Sequence, residues 1–397
     1  MKIVLAPDSF KGSLPAPRAA RALAAGLARV WPDAEYVLLP VADGGEGTAT
    51  ALADATGGRL FSQDVTGALP GTRVSACWAH LGKAAPETAV VEMAQAVGLA
   101  SVAPERRDVK AATTRGVGEL ILAALDEPKI TRLIVGLGGT ATNDGGAGLL
   151  RALGVRLLDD AGRDVPETAG VPALATVAAL DVSGLRLDPA RLSSVVLASD
   201  VDNALCGPRG ASAVFGPQKG ASPNDVVVLD AALARWGEVL GRTSGPGRTK
   251  PFSVADVPGA GAAGGALAAL LWLFPQARIQ SGIDVVLDAA RFEEHLTGTD
   301  LVLTGEGRLD AQTLGGKAVL GVARRARAAG VPCAALVGSL DPAVDANEWA
   351  ARGLVAVLPI APGPCTLPDA LASAQSWIAD GAERAACWLD LGRALAL

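Results

Sequence analysis

"LVLTGEGRLDAQTLGGK", residues 301–317, changes character after its first four residues. Leu301 to Thr304 is a short apolar run of the kind that fills a buried strand. Glycine and charge follow at once: Glu306, Arg308, Asp310, Gln312 and Lys317 all come before a helix could hide them. The same order, an apolar run, then glycine or acid, then helical spacing, recurs along the chain. The runs are "KIVLAPDS", "EYVLLPVADGGEG", "RLIVGLGGTATNDGG", "SVVLASDVDN", "DLVLTGEGRLD", "CAALVGSLD" and "LVAVLPIAPG". Strand–helix alternation predicts an α/β protein with mainly parallel sheets. In such sheets ligands bind beyond the carboxyl ends of the strands, which is where this chain keeps its glycine and acid.

Between the runs, segments carry helical spacing. From Ala19 to Trp31, residues Ala19, Leu23, Leu27 and Val30 line one face, after Pro15 and Pro17 and before Pro32. The middle is less regular. Residues 68–110 hold possible antiparallel strands ("TRVSACWAHL", "AVVEMA"), and residues 155–192 are rich in loops. At about 100–200 residues per domain, the 397 residues predict two domains. The first is built from 1–67 and 292–397, and the second, 68–291, is inserted into it. One uncharged stretch, Val257 to Ala277, is long enough to raise the question of a membrane span. Its prolines and glycines predict a turn followed by a buried helix.

Half of the chain is apolar, 19% is charged, and the net charge is -6. A large core is therefore available, and with no basic cluster neither nucleic acid nor an anionic membrane is an expected partner. The apolar run Ile3 to Ala6 is broken by Pro7 and Asp8, short of a signal-peptide core, so the expected location is the cytoplasm. The five cysteines form no C-x-x-C pair and are expected to be reduced thiols. Only two histidines exist, and neither sits in a glycine or acid cluster. Chemistry must run on carboxylates, hydroxyls, lysine, arginine and backbone N–H groups, and any metal should be one that prefers oxygen, such as magnesium.

Four further loops carry candidate residues. They hold Asp8, Ser9 and Lys11; Asp43 and Glu46; Thr140, Thr142, Asn143 and Asp144; and Asp200, Asp202, Asn203, Arg209 and Lys219. The glycines around Asp43 and Glu46 open a helix, whose N–H groups could meet an anion. Each loop alone could be turn chemistry, with Asp or Asn as a helix cap. Capping does not call for Lys11, Arg308 and Lys317 as well, and carboxylates mixed with cations suit phosphoryl transfer. G-x-x-x-x-G-K-[ST] and the protein-kinase motifs are absent. A G-x-G-x-x-G at Gly259, Gly261 and Gly264, with Asp284 further on, offers an alternative: an NAD(P)-dependent hydroxy-acid oxidoreductase. It lacks a preceding strand, since "SVADVP" is no buried run, so close helix packing is the expected use of those glycines.

Six stretches together, "MKIVLAPDSFKGSL", "PVADGGEGT", "GLGGTATNDGGAG", "FGPQKGAS", "PGAGAAGG" and "LTGEGRLDAQTLGGK", resemble the bacterial glycerate kinase family, with order and spacing kept from residue 1 to about 390. The resemblance implies phosphorylation of D-glycerate, usually at the 2-hydroxyl and alternatively at the 3-hydroxyl. It implies ATP and Mg2+ as cofactors, and a non-P-loop enzyme. It also implies a Rossmann-like domain from both chain ends and an inserted α/β domain, with the active site in the cleft between them. On that reading Asp310 or Glu306 serves as magnesium ligand or base, and Arg308 and Lys317 clamp phosphate or the substrate carboxylate. Asp8, Ser9 and Lys11 share that wall, Asp200 and Asn203 with Thr140 to Asp144 form the facing wall, and Asp43, Glu46 and Lys219 join in binding. The expected assembly is a monomer or homodimer.

Overall fold

The computed structural model describes every residue except 46, 83–84, 248–251, 311–312, 316–317 and 396–397. The chain forms two compact units, Met1–Asp43 with Ser281–Leu397, and Gly44–Gln280.

The first unit is built on a five-stranded parallel sheet. Its order is Leu354–Pro359, Cys333–Val337, Leu301–Thr304, Lys2–Leu5, Glu35–Leu38. The three central strands are the unbroken apolar runs, because strands covered on both faces need apolar residues at consecutive positions. Ile3, Leu5, Leu303 and Leu336 join Leu23, Leu27 and Ile378 from the helices in one core. The helix expected from residue 19 spans Ala16–Leu27, starting directly after Pro15 with Pro17 in its first turn. Ala19, Leu23 and Leu27 are buried as expected, while Val30 falls in the turn beyond. Gly26 lets this helix touch the last one, Leu367–Leu395, since a Cβ there would lie 2.0 Å from the Ala379 carbonyl oxygen. Strand Lys2–Leu5 is the switch point: the chain first goes to its neighbour on one side and later returns to its neighbour on the other. Loops leaving such a point diverge and open a crevice at the carboxyl ends of the strands.

The second unit has a six-stranded sheet in the order Ala277–Gln280, Ser194–Ala198, Arg132–Gly136, Thr88–Glu92, Arg73–His80, Arg59–Thr66. The first four strands are mutually parallel and the last two antiparallel. Trp236, Trp272 and Phe274 are among its fully buried side chains. Within the uncharged stretch, helix Ala266–Leu273 is buried at every residue. Among the described residues no helix is long and apolar enough to cross a membrane.

The unit boundaries differ from the expected 67/68 and 291/292. Residues 44–67 go with the second unit because Arg59–Thr66 pairs with Arg73–His80 along its whole length. Residues 281–291 go with the first, where Asp284 of helix Gly282–Ala289 accepts from Arg324 and Arg325 of helix Ala318–Ala328.

Candidate active site

In the first unit, the loops after strands Lys2–Leu5 and Leu301–Thr304 are stitched together. The Asp8 N–H donates to the Gly305 carbonyl at 2.8 Å, and the Thr304 hydroxyl donates to the Ala6 carbonyl at 2.8 Å. Gly305 is required by a close approach, since a Cβ there would lie 2.1 Å from the Leu336 carbonyl oxygen. Asp8 is buried, and the Ser9 N–H donates to its Oδ1 at 2.6 Å. Burial raises the Asp8 carboxyl to about 7, with Asp43 and then Glu306 adding to the rise against the Ser9 N–H and Lys11. Lys11 is well exposed, its Nζ 3.9 Å from Asp43 Oδ2.

Glu306 is nearly buried, and the Thr313 hydroxyl donates to its Oε1 at 2.9 Å. Asp310 meets the same residue: the Thr313 N–H donates to its Oδ1 at 3.3 Å, which ties Asp310 to the start of the helical turn Thr313–Gly315. Arg308 is exposed, with Nη2 3.3 Å from Asp341 and Nε 3.9 Å from Asp310. The short pairing of Arg308–Leu309 with Ser339–Leu340 holds that face. The structure thus brings Asp43 and Glu306 into electrostatic reach of Asp8, with Arg308 and Asp310 on the adjoining turn. Glu46, Gln312 and Lys317 lie outside the described residues.

In the second unit, the glycine loop after Arg132–Gly136 is anchored by its own polar residues. Asp144 is buried and accepts from the Thr114 N–H and hydroxyl and from the N–H groups of Gly146 and Gly148. Burial raises its carboxyl in spite of these four donors. Asn143 is buried and donates to the Ser212 hydroxyl at 2.9 Å. Lys219 is buried too, and donates to the Thr142 carbonyl at 2.6 Å and the Thr140 hydroxyl at 3.4 Å. Asn203 donates to the Arg209 carbonyl and closes its own turn. Asp202 is exposed beside Arg209 at 3.6 Å, and Asp200 lies half-buried past strand Ser194–Ala198.

The helix opening after Asp43 is already provided with an anion. Glu92 is buried at the end of strand Thr88–Glu92, and accepts from the Gly47 N–H at 3.1 Å and from the Ala49 N–H at the start of helix Thr48–Thr56. Sequence reasoning passed over Glu92, although an acid inside the apolar run "AVVEMA" was a signal. It also passed over Asp341, which ends the quoted run "CAALVGSLD". Ser212 and Thr313 carried no local signal. The Gly259–Gly264 segment follows turns rather than a strand. A Cβ on Gly261 or Gly264 would lie 2.2 Å from the carbonyl oxygens of Ala204 or Thr142, so these glycines serve close backbone packing. Asp284 belongs to the other unit. No dinucleotide fingerprint remains.

A sequence profile described as the Glycerate kinase family matches residues 3–390. The chain is 46% identical over 399 residues to a Bacillus subtilis (strain 168) protein named glycerate kinase, with 100% of each covered. It is 44% identical over 394 residues to an Escherichia coli (strain K12) protein named glycerate 2-kinase, with 99% of each covered. A Salmonella typhimurium LT2 crystal structure, provisionally described as glycerate kinase 2, superposes with a TM-score of 0.84 at 44% identity, covering 99% of both chains.

Proposed function

The chain belongs to the glycerate kinase family, and on that premise we propose that it transfers the γ-phosphoryl group of ATP to the 2-hydroxyl of D-glycerate, giving ADP and 2-phosphoglycerate. The observation that carries the placement of the chemistry is the carboxylate group at the sheet's switch point, where Asp8 is raised to about 7 beside Asp43 and Glu306. A base whose pKa lies near the working pH is both available and strong enough to accept a proton. We assign that role to Asp8. The glycerate hydroxyl oxygen bonds to the γ-phosphorus as the bond to the bridging β–γ oxygen breaks. The hydroxyl proton passes to Asp8, and ADP leaves with the electron pair.

The donor set fits magnesium. It is all oxygen, and although burial is the main cause of the rise at Asp8, Asp43 and Glu306 add negative charge that a cation would offset. Among the described residues no three acidic, histidine or cysteine side chains could hold a metal by themselves. Glu306 and Asp310 would therefore hold the ion together with nucleotide phosphate oxygens and water, as magnesium usually is held. Held there, a magnesium ion would supply charge neutralisation on the transferred group. Lys11, beside Asp43, and Arg308, beside Asp310, are exposed cations, suited to the substrate carboxylate and the phosphates. In the second unit, Thr140 and Asp200 lie beyond the carboxyl ends of adjacent strands. We place the reaction in the cytoplasm, on a monomer or homodimer, with no nucleic-acid or membrane partner.

The direct test is ADP release from ATP with and without D-glycerate. Release that depends on glycerate and stops with a chelator supports the reading. Folded protein that makes no ADP with glycerate and magnesium present overturns it.

A further inference from the structure

We infer that Lys219 is a positioning residue: it holds the Thr140–Asp144 turn in shape and does not clamp the anionic substrates. For its kinetic arm the inference rests on the proposed phosphoryl transfer. The side chain is 3% exposed, and its two bonds run inward, to the Thr142 carbonyl and the Thr140 hydroxyl. The turn that aims it is itself fixed. Pro217–Lys219 is a single helical turn closed by Gly220 at φ 96, and Arg107 Nη1 donates to the Gln218 carbonyl at 3.0 Å.

The loop needs such an anchor. Gly139, Gly145 and Gly146 all adopt positive φ, and glycine-rich backbone loses the most freedom on folding. Every neighbouring segment of the loop has its own tie. The Ala141 N–H donates to the Val97 carbonyl, Asn143 to Ser212, the Gly145 N–H to the Gly264 carbonyl, and Trp236 Nε1 to the Gly145 carbonyl. Lys219 supplies the tie for the buried Thr142 carbonyl, between those of Ala141 and Asn143. Burial also lowers the ammonium to about 8. A neutral amine still donates N–H, so the anchoring bonds outlast the charge, whereas an electrostatic clamp would not.

Lys219→Met removes charge and donors, and Lys219→Gln removes charge but keeps an N–H donor. Hydrogen exchange of the backbone amides in 137–148 reports the loop without any substrate. In Lys219→Met the inference expects exchange there to rise about tenfold or more while the first unit is unchanged. It also expects kcat to fall about 10–100-fold with both KM values within about threefold. Lys219→Gln should recover much of both. Wild-type exchange in Lys219→Met, or a KM for ATP or glycerate raised about tenfold in Lys219→Gln with kcat kept, overturns the inference in favour of a clamp. If Lys219→Met does not fold, the Gln variant decides alone, since only a clamp needs the charge. If the wild type shows no glycerate-dependent turnover, the activity reading fails, and the exchange result still tests the anchoring.

Discussion

The Asp8 N–H donates to the Gly305 carbonyl at 2.8 Å. This bond ties together the ends of two adjacent strands that come from opposite ends of the chain. Asp8 and Glu306 are thereby held near each other by backbone rather than by side-chain choice. Two acids so placed, both largely removed from water, are electrostatically unfavourable until a cation or a proton arrives. A carboxyl perturbed by burial and named charge partners in such a position is a candidate functional group.

Asp8→Asn separates stability from activity. In the folded chain Asp8 binds its proton up to about pH 7, against 3.8 for the ordinary group. Folded protein therefore holds a proton that unfolded protein has lost between these values. The stability contributed by Asp8 is full below the lower value and disappears as pH rises through the upper one. Urea titrations without nucleotide or divalent ions should find Asp8→Asn more stable than wild type at pH 8, by up to a few kcal/mol on the order of one pK unit per 1.4 kcal/mol. The gain should shrink towards pH 4. Turnover should drop about 10²–10⁴-fold. Normal kcat in this variant would remove Asp8 as the base.

Glu306→Gln and Asp310→Asn address the metal. Asparagine caps nearly as well as aspartate, so Asp310→Asn should keep the turn at Thr313 and cost well under about 1 kcal/mol. Both variants should need more magnesium for half-maximal rate, and kcat should fall about a hundredfold. A magnesium titration that overlays the wild type in both would leave these acids with a scaffolding role.

Glu92→Ala should destabilise without touching the chemistry directly. It strips the Gly47 and Ala49 N–H groups of their acceptor, and unpaired buried donors cost about 1–3 kcal/mol. Denaturant melts should show a loss of that size. An unchanged midpoint would mean that another group serves the helix start.

What could be read beforehand, and what could not, follows from this physics. Strands such as Lys2–Leu5, Arg132–Gly136 and Leu301–Thr304 are covered on both faces and show up as apolar runs. Arg59–Thr66 is an edge strand, exposed over most of its length, so "RLFSQDVT" carries no such run, and the first boundary was misplaced there. The acid loops were recognisable from their position at strand ends. Their division of labour was not, because it depends on partners distant in the chain. Asp144 is turned inward by Thr114, whereas Asp8 is raised by burial and then by Asp43 and Glu306.

Lys219 makes an alkaline prediction of the opposite sign. Its ammonium sits at about 8 when folded and at 10.5 ordinarily. Between these values unfolded protein holds the proton and folded protein does not, so this group's contribution rises with pH across that window and is lost as pH falls through about 8. Unfolding free energies of wild type minus Lys219→Met should therefore increase from pH 7.5 to pH 10, by at most about 3 kcal/mol. A flat difference would mean that the lysine is not desolvated in solution.

Phosphorus NMR of the product from ATP, magnesium and D-glycerate reads both the transfer and the oxygen that receives the group. The expected products are ADP and a single new phosphomonoester signal, split by the lone proton on C2 of 2-phosphoglycerate. A signal split by the two protons on C3 would assign the 3-hydroxyl instead. No phosphoglycerate signal from folded protein with magnesium present would rule out glycerate phosphorylation by this chain.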